Sequence, residues 1–181
     1  MKKALCKWLL NIAGWKIGSL GEDVSKCVIC VAPHTSNWDF VIGKLFYGAV
    51  ERKACFLIKK EWFFFPFNFL FGSMGGIPVD RRKNTSVTDQ MAEEFAKRKT
   101  FHLAITPEGT RKKASDWKKG FYYIAVKAEV PILLAYIDYK KKEVGFGPLF
   151  HPTGDVDADI ATIRSFYKGV TARFPSNFAD T

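Results

Sequence analysis

The segment Ala32-Pro33-His34-Thr35-Ser36-Asn37-Trp38-Asp39-Phe40 places one of only three histidines five residues before an aspartate. The histidine follows a strand-like apolar run, and the aspartate opens a helical pattern. In open α/β folds ligands bind at the carboxyl ends of strands. The positive end of a helix dipole disfavours further positive charge there, which suits a neutral imidazole able to accept a proton. An aspartate in the first helical turn can fold back onto one ring nitrogen, fix the tautomer and stabilise the imidazolium once it forms. Such a pair activates a substrate hydroxyl directly and needs no serine or cysteine nucleophile. The competing reading is a turn histidine followed by a helix-capping aspartate.

Three further segments bear on the choice. In Gly75-Gly76-Ile77-Pro78-Val79-Asp80-Arg81-Arg82 the glycines permit an unusual backbone path, and Arg81 arrives at the end of a short strand, where a guanidinium suits a phosphate. In Ile105-Thr106-Pro107-Glu108-Gly109-Thr110-Arg111 another strand ends in a polar cluster, with Glu108 as acceptor, Gly109 for close approach and Arg111 as cation. Val130-Pro131-Ile132 enters the next strand. Each alone reads equally as a turn, a surface charge or a strand start.

The series HTSNWD, GGIPVDR, TPEGTR and VPI, in that order over residues 34 to 132, resembles the four sequence blocks of the glycerolipid acyltransferase superfamily. The best-known members are the 1-acylglycerol-3-phosphate (lysophosphatidic acid) acyltransferases. The resemblance implies that His34 is the general base on the acceptor hydroxyl and Asp39 its partner. The hydroxyl then attacks the thioester of acyl-CoA or acyl-carrier protein with no acyl-enzyme. It implies that Arg81 holds an anionic group of the acceptor. Thr106, Pro107, Glu108, Gly109, Thr110 and Arg111 would shape the acceptor site, and Pro131 would border the donor channel. It also implies attachment to a membrane, at its cytoplasmic face, as a peripheral or monotopic protein. Three positions depart from the usual blocks: Pro78 replaces an aromatic, Thr106 a phenylalanine and Leu134 a second proline. These leave the reaction type alone but loosen the identity of the acceptor, so lysophosphatidic acid is a default.

The elements that must position these residues follow from periodicity. Strands are expected over 27–32, 54–58, 77–79, 101–106 and 131–139, with a closing hairpin through 143–149. Helices are expected over 37–49, 86–98, 118–128 and 158–173. The alternation argues a single-domain α/β sandwich, a largely parallel central sheet flanked by helices over residues 21–181. Residues 1–20 form an expected amphipathic N-terminal helix, with Leu5, Trp8, Leu9, Ile12 and Trp15 on one stripe and lysines off it. That stripe could lie in a membrane interface or pack on the domain's own core. The Phe-rich segment 61–74 carries the same two alternatives.

The chain of 181 residues is long enough for one buried core, and its formal net charge of +10 favours anionic partners. Its 17 phenylalanines and five tryptophans fit a membrane-surface enzyme at least as well as a nucleic-acid binder. No nucleic-acid-binding motif occurs, and nucleic acid is not an expected partner. No apolar run reaches the ~20 residues of a membrane span, and Lys7 with no convincing cleavage site argues against a secretion signal. Four cysteines fit a reducing compartment. Cys27 and Cys30 form a CxxC inside a strand-like run, and two buried thiols explain it without a metal. No metal or other cofactor is expected. His102 and His151 attract no catalytic role. Basic runs such as Lys118-Lys119 and Lys140 to Lys142 are solvated faces that could also steer CoA phosphates or an acidic carrier protein. An acyltransferase-like lipid-binding protein without turnover is the alternative function.

Overall fold

The computed structural model describes residues 2–80 and 86–179. In chain order the elements are α1 Lys2–Ile12, β1 Lys16–Ile17, β2 Lys26–Val31, α2 Asn37–Ala49, β3 Cys55–Lys59, α3 Phe67–Ser73, β4 Gly76–Val79, α4 Val87–Lys97, β5 Phe101–Ile105, α5 Gly120–Lys127, β6 Ile132–Asp138, β7 Glu143–Phe150 and α6 Val156–Phe166. One seven-stranded sheet runs in the order β1-β7-β6-β2-β5-β3-β4. Every pairing is parallel except the β6–β7 hairpin. The expected α/β sandwich with a largely parallel sheet is the architecture found.

β2 lies at the middle of the sheet, and Cys27 to Cys30 are fully buried. A strand covered on both faces reads as a continuous apolar run, because both sets of side chains meet a helical layer. Val28 and Cys30 join a core with α4, α5 and α6, whereas Cys27 and Ile29 join a core with α1 and α2. The two cysteines of the CxxC therefore point to opposite faces. Burial pushes both thiols up to about 12. Among the described residues no group of three or more His, Cys, Asp or Glu is placed to hold a metal ion.

The ends of the chain depart from expectation. The first helix stops at Ile12 instead of running on to residue 20, and residues 16–17 enter the sheet as β1. Gly14 takes a left-handed conformation (φ 75°), with the N–H groups of Ala13 and Trp15 closing onto Leu9 and Leu10 carbonyls. Trp15 thus leaves the helical stripe and packs edge-on against Tyr139, ring centroids 5.0 Å apart. The last helix starts and ends earlier than 158–173. Asp155 caps it, accepting the Ala158 N–H at 3.1 Å. Beyond it, Tyr167 turns into the core and donates its hydroxyl to the Cys30 carbonyl at 2.7 Å.

Two apolar surfaces stay exposed. On α1, Cys6 and Leu10 face the core, while Leu5, Trp8, Leu9 and Ile12 are exposed. In the Phe-rich segment, Trp62, Phe64, Phe65, Phe67, Phe69 and Leu70 are exposed, and α3 buries none of its residues. Of the two alternatives for these segments, core packing is the one their exposed rings do not use. Among the described residues no helix is long and apolar enough to cross a membrane.

Candidate active site

The loop between β2 and α2 sets the site. Ser36 caps α2, its hydroxyl accepting the Trp38 N–H at 3.2 Å, and Asp39 returns the bond by accepting the Ser36 N–H at 2.8 Å. This reciprocal cap holds the Asp39 carboxylate over the turn. The same oxygen, Oδ2, accepts the Thr35 N–H at 2.9 Å and lies 3.1 Å from His34 Nδ1. Capping aspartate and histidine partner are therefore one residue, whose carboxylate both closes the cap of α2 and meets the imidazole. Asp39 is buried. Burial would push its carboxyl up, but hydrogen bonds from His34, Tyr139 and Ser36 outweigh that and hold it below the usual range. An ionised Asp39 makes Nδ1 the protonated nitrogen and leaves Nε2 as the basic one. Among the described residues Nε2 makes no hydrogen bond, and the His34 side chain is 21% exposed against 2% for Asp39.

β5 pairs directly with β2, so the loop after β5 opens beside His34. Glu108 Oε1 accepts the His34 backbone N–H at 2.6 Å. Gly109 adopts a positive φ of 64°, a backbone conformation that favours glycine, and the Lys118 side chain lies close over it. The Lys118 N–H closes the loop onto the Pro107 carbonyl at 2.7 Å. Arg111 donates to the Asn37 side-chain oxygen in the first turn of α2. Pro107 and Glu108 are buried, Thr106 half-buried, and Thr110 and Arg111 exposed.

Not every expected residue joins this cluster. Arg81 lies outside the described residues. Pro131 stands at the start of β6, its carbonyl accepting the Val28 N–H at 3.0 Å, at the opposite end of the sheet from His34. The reason is parallel register: the residue that enters β6 and the residue that leaves β2 cannot share an edge. The other end of β6 does reach the site. Tyr139, one residue past the strand, donates its hydroxyl to Asp39 Oδ1 at 2.6 Å. No motif marked it, because its partner is 100 residues away. From the C-terminal segment, Arg173 lies over the Trp38 ring at 5.5 Å and the Phe174 N–H donates to Thr35 Oγ1 at 3.2 Å. His102 sits away from this cluster, with Nε2 at 2.7 Å from the Val24 carbonyl.

Burial raises Glu108 to about 7, against 4.5 for the free side chain. A carboxyl raised on folding binds its proton more tightly in the native state, so stability falls as pH rises from the unfolded value through the folded one. Glu108→Gln, which mimics the protonated acid, should match wild type near pH 4.5 and exceed it by about 1–3 kcal/mol above pH 7. Denaturant unfolding of both proteins across that window checks this. Asp39 acts in the opposite direction, since its stabilisation is lost only as pH falls below the ordinary carboxylate range.

A strand-end histidine oriented by a buried carboxylate can accept a proton, and it stands beside a loop of glutamate, glycine and arginine. The chain belongs to the Acyltransferase family, whose model matches residues 20–138. It is 29% identical over 119 residues, 62% of its length, to human 1-acyl-sn-glycerol-3-phosphate acyltransferase beta, and spans 41% of that protein. Its fold is similar to the crystal structure of the 1-acyl-sn-glycerophosphate (LPA) acyltransferase PlsC of Thermotoga maritima, with a TM-score of 0.62 at 18% identity, covering 95% of this chain and 79% of that one.

Proposed function

We propose that the protein is a membrane-surface O-acyltransferase that moves a fatty acyl group from acyl-CoA or acyl-carrier protein to a hydroxyl of a lyso-lipid, by default 1-acylglycerol-3-phosphate, in membrane lipid synthesis. The observation that carries this reading is the His34 Nδ1–Asp39 Oδ2 contact of 3.1 Å, with Nε2 left for substrate. Nε2 removes the proton of the acceptor hydroxyl as its oxygen attacks the thioester carbonyl. Negative charge passes to the carbonyl oxygen of the tetrahedral intermediate. On collapse the C–S bond breaks, and the departing sulfur takes the proton back from the imidazolium. Asp39, ionised and buried, stabilises that imidazolium while it lasts. Arg81 would hold the acceptor's anionic group, and Glu108 and Gly109, with Thr110 and Arg111 nearby, would shape its seat. Thioester acyl transfer on this route uses no metal or organic cofactor.

Free-thiol release from acyl-CoA or acyl-carrier protein, measured over a panel of lyso-lipids, tests the activity and reads donor and acceptor together. Acceptor-dependent release supports it. Lipid binding with no release on any acceptor would leave a binding protein.

The exposed rings of α1 and of the Phe-rich segment favour a membrane surface as the place of action, and four free cysteines fit its cytoplasmic face. α2 lies between them, with Cys6 of α1 against Gly48 and Lys44 donating to the Met74 carbonyl at the end of α3. Aromatics inserted beneath headgroups and lysines at the phosphates suit an anionic bilayer. The Trp8→Ser/Phe65→Ser double variant should bind anionic vesicles about tenfold or more weakly, because a buried ring contributes ~1.5–3 kcal/mol. Vesicle sedimentation measures this, and undiminished binding would place the contact elsewhere.

A further inference from the structure

The His34–Asp39 pair uses one carboxylate oxygen, and the other is also taken. Oδ2 receives the donors of His34, Thr35 and Ser36, while Oδ1 receives the Tyr139 hydroxyl at 2.6 Å. The geometry points to Tyr139 as a positioning residue that acts through Asp39 to keep the His34 ring in its proton-accepting orientation; this rests on the acyl-transfer reading above. Tyr139 lies one residue beyond the stretch that matches the family, and in none of the four sequence blocks.

Three observations support the assignment. Asp39 is 3% exposed and the Tyr139 hydroxyl is the donor its Oδ1 receives, so removing that hydroxyl takes away the partner of a buried oxygen. The carboxylate would then be held at Oδ2 alone, by the Thr35 and Ser36 N–H groups, and would lose the second contact that fixes its plane against the His34 ring. The phenol remains a donor at all working pH values, since burial and the Asp39 carboxylate push it far up, with nearby Arg173 acting weakly against them. Its place is also held from two sides. Trp15 packs edge-on against the ring at 5.0 Å and 88°, and the Tyr139 N–H donates to the Thr171 carbonyl at 2.9 Å. The charged and titratable neighbours of Asp39 are thus His34, Tyr139 and Glu108, with Arg173 behind Tyr139.

The test is Tyr139→Phe, studied by ring nitrogen NMR in histidine-labelled protein and by kinetics. With three histidines in the chain, His34 is assigned by the signals lost in His34→Gln. In wild type the neutral ring should be protonated at Nδ1, and in Tyr139→Phe the Nε2-protonated tautomer should grow. The kcat should fall by about 10- to 100-fold with KM within about twofold, the size of effect that small misplacement of a reacting group produces. In an Asp39→Ala background, Tyr139→Phe should cause little further loss, because no side chain is left there for the hydroxyl to act through. Should Tyr139→Phe fold poorly, Trp15→Leu keeps the hydroxyl, loosens the ring and should move the tautomer in the same direction. A wild-type ring spectrum and wild-type kcat in Tyr139→Phe overturn the proposal, as does a fully additive loss with Asp39→Ala. A changed tautomer in a protein that transfers acyl groups to no acceptor upholds the positioning role and removes the acyl-transfer reading instead.

Discussion

His34→Ala should lower kcat for acyl transfer by about 10²–10⁴-fold, equivalent to roughly 3–5 kcal/mol of transition-state stabilisation. The structure gives reasons why the fold should survive it. Glu108 is held by the backbone N–H of residue 34 at 2.6 Å, which alanine keeps. The Asp39 carboxylate retains the N–H groups of Thr35 and Ser36 and the Tyr139 hydroxyl. The imidazole is half-buried at the site mouth, so its loss opens the surface and leaves no sealed cavity. The measurement is thiol release at saturating acceptor beside thermal unfolding of the same preparation. Wild-type turnover in a folded His34→Ala protein would remove the histidine from the mechanism.

Asp39→Asn should cost about 10²–10³-fold in kcat, less than loss of the histidine. In a triad the same change costs ~10⁴ because the imidazole is left in the wrong tautomer. Here the acceptor oxygen is pinned by the Thr35 and Ser36 N–H groups at 2.9 and 2.8 Å, so the asparagine oxygen should take that place and its NH₂ face Tyr139, whose oxygen can accept. Nδ1–H of His34 then keeps its acceptor, and the loss is the negative charge that stabilises imidazolium. Asp39→Ala would mix effects, since it also removes the Asp39 half of the capping box on α2. Kinetics of the asparagine variant with an unfolding curve separates them. A loss as large as that of His34→Ala would mean that the tautomer, and not the charge, is what Asp39 secures.

Much of the site could be read along the chain because its pieces are local. His34 and Asp39 are five residues apart, and a helix cap is a matter of one turn, so residue types alone placed them together. The strands and helices around them were equally legible. Helix α2 runs from Asn37 to Ala49, the span expected from its apolar spacing, because both of its ends are set by near neighbours. Glu108 and Gly109 were recognisable as a strand-end cluster, but their contact with His34 depends on β5 pairing with β2. Pro131 shows the limit of local reading, which gave it a strand start but no edge of the sheet. Its block lies close to the others in order, yet the direction of β6 puts its first residue at the far edge and brings Tyr139 to the near one. The N-terminal stripe fails in a related way. Helical spacing carried Trp15 along with Ile12, whereas the turn at Gly14 sends it into the site's support.

The sequence by itself determined the nearness of His34 and Asp39, the alternation of strands and helices, and an abundance of aromatic side chains. Those properties depend on residue type and on spacing of a few positions, where backbone geometry is fixed. Only the tertiary structure decided that both oxygens of Asp39 are engaged, that Glu108 is buried enough to titrate near 7, and which apolar rings remain outside. Each of those depends on groups far apart in the chain. Strand order and direction bring them together, and no local pattern of residues encodes either.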